Sequence, residues 1–184
     1  MVSVRESTMT DTLTRAWAAL HTVLDPEVPA VSVCDLGIVR HVEELSPTQL
    51  RVTLTPTYSG CPATEVIEAA VRDALSDAGF SHVEICLQRA PAWTTDWISA
   101  AGRDKLRRYG IAPPAACASP PLSTPANVSI HPMVWQPRVR LEAVACPRCD
   151  SAQTERLSTF GSTACKALYR CLACREPFEY FKPF

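Results

Sequence analysis

The hydrophobic pattern opens on a helical period. Leu13, Trp17, Leu20 and Leu24 recur every three to four residues between Asp11 and Leu24, which predicts a helix that Pro26 ends. Residues 1–10 show no such pattern. The period then changes to two. Ile38-Val39-Arg40-His41-Val42 mixes apolar and polar positions, and Ser46-Pro47 marks a turn. Leu50, Val52 and Leu54 alternate with Arg51, Thr53 and Thr55, so residues 38–55 are predicted to form a hairpin. A loop, Thr55 to Pro62, leads into a second helix with Val66, Ile67, Ala70, Val71 and Leu75 on its apolar face. Pro62 suits the first turn, where a missing N–H costs nothing, and Gly79 suits the end. Val83, Ile85 and Leu87 predict a third strand. Asp96 to Tyr109 reads as a third helix with Ile98, Gly102, Leu106 and Tyr109 on one side, Thr94 or Thr95 as its cap and Gly110 as its stop. The order α-β-β-α-β-α implies a small α/β sandwich of the α+β class, with a largely antiparallel or mixed sheet.

After residue 112 the periodicity stops. Seven of the sixteen prolines fall between Pro113 and Pro137, with Ala and Ser between them. Fixed φ angles and missing N–H groups prevent a helix or a central strand there, so 113–137 reads as a semi-extended linker. Met133, Val134 and Trp135 are its one apolar anchor point. The chain therefore divides into an α/β domain over 1–112, the linker, and a C-terminal module over 138–184. Charge separates the ends too: residues 1–112 carry 10 basic and 14 acidic side chains, residues 138–184 carry 8 and 5. The net charge of −1 gives no reason to expect nucleic acid or an anionic membrane as partner. No run of about 18 apolar residues is present, and the polar N-terminus lacks a signal-peptide core, so the expected compartment is the cytoplasm.

Nine cysteines are many for a reducing compartment, where clustered thiols more often bind metal than form disulfides. Cys146-Pro147-Arg148-Cys149 and Cys171-Leu172-Ala173-Cys174 are two C-x-x-C pairs with 21 residues between them. Two intervening residues let one tight turn aim both thiolates at a single ion, and two such turns complete a four-sulfur site for Zn²⁺ or an iron centre, an iron–sulfur cluster included. The spacing favours structural zinc. Tyr169, Phe178, Tyr180 and Phe181 offer a miniature core. A module of about 45 residues scarcely stabilises itself by burial, so metal would supply much of its folding energy. Cys165 is either a fifth thiol near that site, its thiolate favoured by Lys166, or a small buried apolar residue.

In the first domain Cys61 precedes Pro62 at a helix N-terminus, where free N–H groups favour a thiolate. It reads as a reactive or iron-binding thiol, or else as an inert buried cysteine. Asp25, Glu27 and Asp35 lie in short loops that either converge on it or cap turns and meet solvent. The four histidines are scattered, no Ser-His-Asp set is evident, and there is no glycine-rich phosphate loop.

Three stretches carry a resemblance: Asp25-Pro26-Glu27-Val28-Pro29, Ser32 to Val39, and Thr55 to Pro62. Over about residues 12–90 they resemble the small domains of cytosolic iron–sulfur targeting factors and of bacterial SufT. Pro91-Ala92-Trp93-Thr94-Thr95-Asp96-Trp97-Ile98 and the tail from Phe160 to Cys171 resemble a narrower family, PaaD (also called PaaJ). That is the D component of the phenylacetyl-CoA epoxidase system of bacterial phenylacetate degradation. The resemblance implies an accessory protein that matures iron or iron–sulfur centres of the oxygenase or reductase component. Its implied partners are those components and iron–sulfur assembly proteins, and a homodimer is compatible with so small a sheet. The chain itself lacks the Glu and Glu-x-x-His sets of a di-iron bundle and a flavin or nicotinamide fingerprint, so no catalysis of its own is expected. Two other readings stay open: a docking component of the same complex held together by zinc, and a nucleic-acid-binding zinc ribbon. The last is weakest, because Arg and Lys form no run.

Overall fold

The computed structural model describes residues 3–58, 60–114 and 144–184, with side chains from residue 11 onward. The linker beyond Pro114, and residues 138–143 of the C-terminal module, lie outside the described residues.

Helix α1 spans Ser3–Leu20, so it starts well before Asp11 and ends before Leu24. Its end is local chemistry. The N–H and hydroxyl of Thr22 both bond the Ala19 carbonyl, and the Val23 N–H bonds that of Leu20. These short-range bonds close the last turn, and Leu24, predicted on the apolar face, is 51% exposed in a bridge to Ser32.

The hairpin forms as the alternation predicts: β1 (Val39–Ser46) pairs antiparallel with β2 (Gln49–Leu54). Helix α2 (Ala63–Asp77) then carries the chain to β3 (His82–Leu87), which runs parallel to β2 and completes a mixed sheet ordered β1-β2-β3. Leu50, Val52 and Leu54 are buried with Ala16 and Leu20 of α1 and Ile67, Val71 and Leu75 of α2. Residues at i, i+4 and i+8 share a helix face. Val66 stands about 100° round from Ile67 and is 56% exposed, contrary to its predicted place in the core.

The predicted third helix divides. Thr94 caps a short 3₁₀ turn, Thr95–Trp97, and Ser99 caps α3 (Ala100–Tyr109), its hydroxyl accepting the Gly102 N–H at 2.9 Å. Ile98 between them is extended. Gly110, at φ +99°, closes α3 as predicted, whereas Tyr109 is exposed rather than packed beside Leu106. Two glycines allow close approach here. A Cβ on Gly37 (φ +68°) would sit 2.5 Å from the Trp97 carbonyl oxygen, and one on Gly102 would sit 2.8 Å from that of Asp35.

Strand β4 (Ile111–Ala112) follows α3 directly and pairs parallel with β7 (Pro177–Phe181). A second sheet results, ordered β4-β7-β6-β5, with β5 at Thr154–Ser158 and β6 at Lys166–Cys171. Ala167, Tyr169 and Cys171 of β6 and Phe178 and Tyr180 of β7 form one core with Ala112, Val144 and Cys146. Three of the four aromatics expected there are present. Phe181 has the opposite strand parity and enters the core of the first domain, its ring 6.0 Å from Trp93. Trp93 in turn donates its indole N–H to the Leu36 carbonyl at 2.9 Å. Among the described residues no helix is long and apolar enough to cross a membrane.

Candidate functional site

The two C-x-x-C turns are built alike. The Cys146 N–H bonds the Ser151 carbonyl and the Cys171 N–H the Glu176 carbonyl, each at 3.0 Å. The residue after each second cysteine, Asp150 or Arg175, takes a left-handed φ of 60° or 67°. Cys146 Sγ lies 3.7 Å from Cys174 Sγ, Cys149 Sγ lies 3.6 Å from Cys171 Sγ, and all four sulfurs are within 4.8 Å of one another. Four sulfurs at about 2.3 Å from one tetrahedral ion stand about 3.8 Å apart, so the residues fit a single thiophilic cation. Their electrostatics agree. The Cys174 N–H pulls the Cys171 thiol down to about 6. Cys174 itself is pushed up to about 12, because burial and the neighbouring sulfurs outweigh the Glu176 N–H. Four thiolates cannot crowd together without a cation to neutralise them. Arg107 of α3 pairs with Asp150 and ties this turn to the first domain.

A second group surrounds a cavity of about 20 Å³ between the domain and the ribbon, lined by Asp25, Glu27, Cys61, Thr64, Cys165 and Phe181 among others. That is room for about one water molecule. Asp25 Oδ1 accepts the N–H groups of Glu27 (2.9 Å) and Val28 (2.8 Å). Burial nevertheless pushes this carboxyl up, over the opposing pull of those N–H groups. Glu27 is also pushed up, by burial and then by the Asp25 charge. Cys61 heads α2, and its carbonyl accepts both the N–H and the hydroxyl of Thr64. Cys165 reaches the cavity from the ribbon, its Sγ 3.0 Å from Thr163 Oγ1 and 3.8 Å from Glu27 Oε2. Lys166, 2% exposed, bonds Glu179 at 2.9 Å.

Residues 136–182 match the family model described as the PaaD zinc beta ribbon domain, and residues 13–84 match that of the iron-sulfur cluster assembly protein. Across 166 residues the chain is 48% identical to an Escherichia coli (strain K12) protein, provisionally named as the D component of 1,2-phenylacetyl-CoA epoxidase, and the match covers 90% of each chain. The chain belongs to the PaaD family. Its first domain has a wider kinship. Over 81 residues it is 38% identical to a Porphyromonas gingivalis (strain ATCC BAA-308 / W83) Fe-S protein maturation auxiliary factor, spanning 44% of this chain and 76% of that one. A solved DUF59 domain of unknown function from Bacillus anthracis superposes with a TM-score of 0.50 at 26% identity, covering 53% of this chain and 92% of that one. The chain thus joins a domain of the iron-sulfur cluster assembly protein family to a PaaD zinc beta ribbon domain.

Of the residues singled out in the sequence, Cys146, Cys149, Cys171 and Cys174 come together in the ribbon. Asp25, Glu27 and Cys61 share the cavity, and Asp35 is not among its lining residues. Asp35 Oδ2 instead accepts the Ser32 N–H at 2.9 Å and the Lys105 ammonium at 2.6 Å. Burial opposes its charge, but these partners outweigh burial and hold the carboxyl below its usual range. Cys165 is not a fifth thiol of the four-cysteine group; it lines the other cavity. Lys166 favours its thiolate, but the effect is outweighed. Burial pushes that thiol up, over the pull of Thr163 and Lys166. No motif marks Phe181 as part of this site, nor the ion pair of Lys166 with Glu179. The signal that finds Phe181 is the other parity of β6 and β7, where Lys166 stands across from it in register.

Proposed function

We propose that this protein is an accessory factor of a phenylacetyl-CoA epoxidase system that matures the iron or iron–sulfur centres of the oxygenase or reductase component. One observation carries the reading: a cysteine at a helix start, Cys61, sharing a small cavity with the carboxylates Asp25 and Glu27 in the domain related to an iron–sulfur maturation factor. Such a set of one thiol and two carboxylates suits transient holding of iron. The ribbon cysteines hold zinc in this reading, and zinc there is structural: four protein sulfurs leave no open coordination position. A multi-iron cluster would hold thiolates on different irons farther apart than the 4.8 Å within which all four of these sulfurs lie. Replacing Cys149 by Ser removes the zinc and unfolds the ribbon.

A maturation factor acts before turnover and then leaves. Epoxidase components made in cells with this protein, then purified away from it, keep full specific activity. Components from cells carrying Cys61→Ala are short of iron or cluster, and adding the wild-type protein afterwards restores little. A second reading, a docking component that stays in the complex, is favoured by Leu157 and Phe160, 49% and 62% exposed on the ribbon. It predicts equal iron in both preparations and activity only while the protein is in the assay. That result would overturn the maturation role.

A further inference from the structure

Cys165 is the thiol for which the four-cysteine site has no use. It sits in the turn before β6, and the strand's geometry sends it and Phe181 into the first domain. There it meets Glu27, whose Oε2 lies 3.8 Å from its sulfur. A sulfur and a carboxylate oxygen bound to one tetrahedral ion stand about 3.5 Å apart, from bond lengths of about 2.3 and 2.0 Å. The pair is therefore already near ligand spacing. Cys61 and Asp25 line the same cavity. The ammonium of Lys166, the residue after Cys165, is held by Glu179.

We propose that Cys165 of the ribbon and Cys61 of the α/β domain are the two thiol ligands of one thiophilic divalent cation, with Glu27 as the carboxylate ligand, so that the site exists only when the two modules are docked. The inference rests on the reading of Cys61 as an iron-holding thiol and adds the ligand that the α/β domain alone cannot supply. The donors do not yet share one coordination sphere. Among the described residues only the four ribbon sulfurs all lie within 4.8 Å of one another. Closing the set needs the Cys61 side chain to move toward Cys165 and Glu27 across the cavity that all three line. Binding is then a proton exchange: the cation enters, and each thiol that ligates releases one proton to solvent. Burial, which disfavours negative charge on Asp25, Glu27 and Cys165, becomes an advantage once a dication is present.

The test is anaerobic titration of the zinc-loaded, full-length protein with Co²⁺, read by thiolate-to-cobalt charge-transfer absorption. Wild type is expected to take one cobalt beyond its zinc. Cys165→Ser and Cys61→Ser are each expected to lose about half of that absorption and to bind at least about tenfold more weakly. Cys86→Ser, a thiol outside the cavity, is expected to match wild type. Zinc content and thermal unfolding confirm that each variant is folded, and Glu27→Gln gives a second route that leaves both thiols in place. Wild type that takes no cobalt beyond its zinc, or Cys165→Ser that binds as wild type does, overturns the proposal. The two readings fail separately. If Cys165→Ser binds normally while Cys61→Ala cells lack active epoxidase, the shared site is wrong and the maturation role stands. If both thiols bind cobalt but epoxidase matures without this protein, the reverse holds.

Discussion

At the scale of single residues, two loop aspartates have opposite electrostatics. Asp25 is buried and its carboxyl is pushed up. As pH rises past about 4, the unfolded chain loses that proton first, so ionisation subtracts stability, and the penalty is complete above the folded-state value. Asparagine keeps an oxygen for the Glu27 and Val28 N–H groups. Asp25→Asn is therefore expected to raise the urea midpoint at pH 7 and to leave it unchanged below about pH 4. Asp35 runs the other way. Its carboxyl is held down by Lys105 and Ser32 once burial is outweighed, so its contribution is present above about pH 4 and is lost as pH falls through the folded value. Asp35→Asn is expected to destabilise at pH 7 by about 1–3 kcal/mol, the range for a charge-assisted hydrogen bond. Two midpoints that shift in the same direction at pH 7 would refute this assignment. A carboxylate kept where it weakens the fold is what a functional site leaves behind. Asp25, Glu27 and Cys61 are legible in the sequence because short loops near a helix start hold them. Cys165 is not, because its position depends on how a distant strand docks. Nor does the sequence separate Asp35 from the others, since its partner Lys105 lies 70 residues away.

At the scale of elements, period two and period 3.6 make β1, β2, β3 and α2 legible, because each buries one face. The ends are less so. The choice of Ser99 over Thr94 or Thr95 as the cap of α3 follows from Gly102 seating against Asp35, a tertiary contact that no local pattern encodes. Strand β7 shows why the aromatics divide differently from the expectation of one miniature core. Its two faces serve two cores, with Phe178 and Tyr180 in the ribbon and Phe181 beside Trp93. Removing a buried Phe side chain costs about 3–5 kcal/mol, but the two losses should differ in place. Phe178→Ala is expected to loosen the ribbon and speed zinc loss to a chelator. Phe181→Ala is expected to retain zinc at the wild-type rate while hydrogen-exchange protection falls around Trp93 and α3. Equal zinc loss from both variants would show that β7 belongs to one core only.

At the scale of the whole molecule, the two modules share a sheet. The α/β domain ends in β4, and β4 is a strand of the ribbon's sheet. Arg107 pairs with Asp150, the Thr95 N–H bonds the Phe184 carbonyl at 3.4 Å, and Phe181 and Cys165 sit in the domain core. The four-cysteine group and the Cys61 cavity are therefore linked through β6 and β7. If zinc holds the two turns, its removal frees the ends of both strands, and a ribbon this small has little other reason to stay folded. The β4–β7 pairing then goes, Cys165 and Phe181 withdraw, and Cys61 is left in an open cleft. Pulse alkylation with site-resolved mass spectrometry reads this directly. Chelation is expected to raise the Cys61 rate severalfold, together with Cys165 and the four ribbon cysteines. Cys86, on β3 and not among the residues that line the cavity, serves as the internal reference and should stay constant. Helical circular dichroism should persist, since α1, α2 and their sheet bury their own core. Restoring zinc should return Cys61 to its slow rate. A Cys61 rate that ignores chelation while the ribbon thiols become reactive would mean that the two modules do not communicate, and the cavity would then belong to the α/β domain alone.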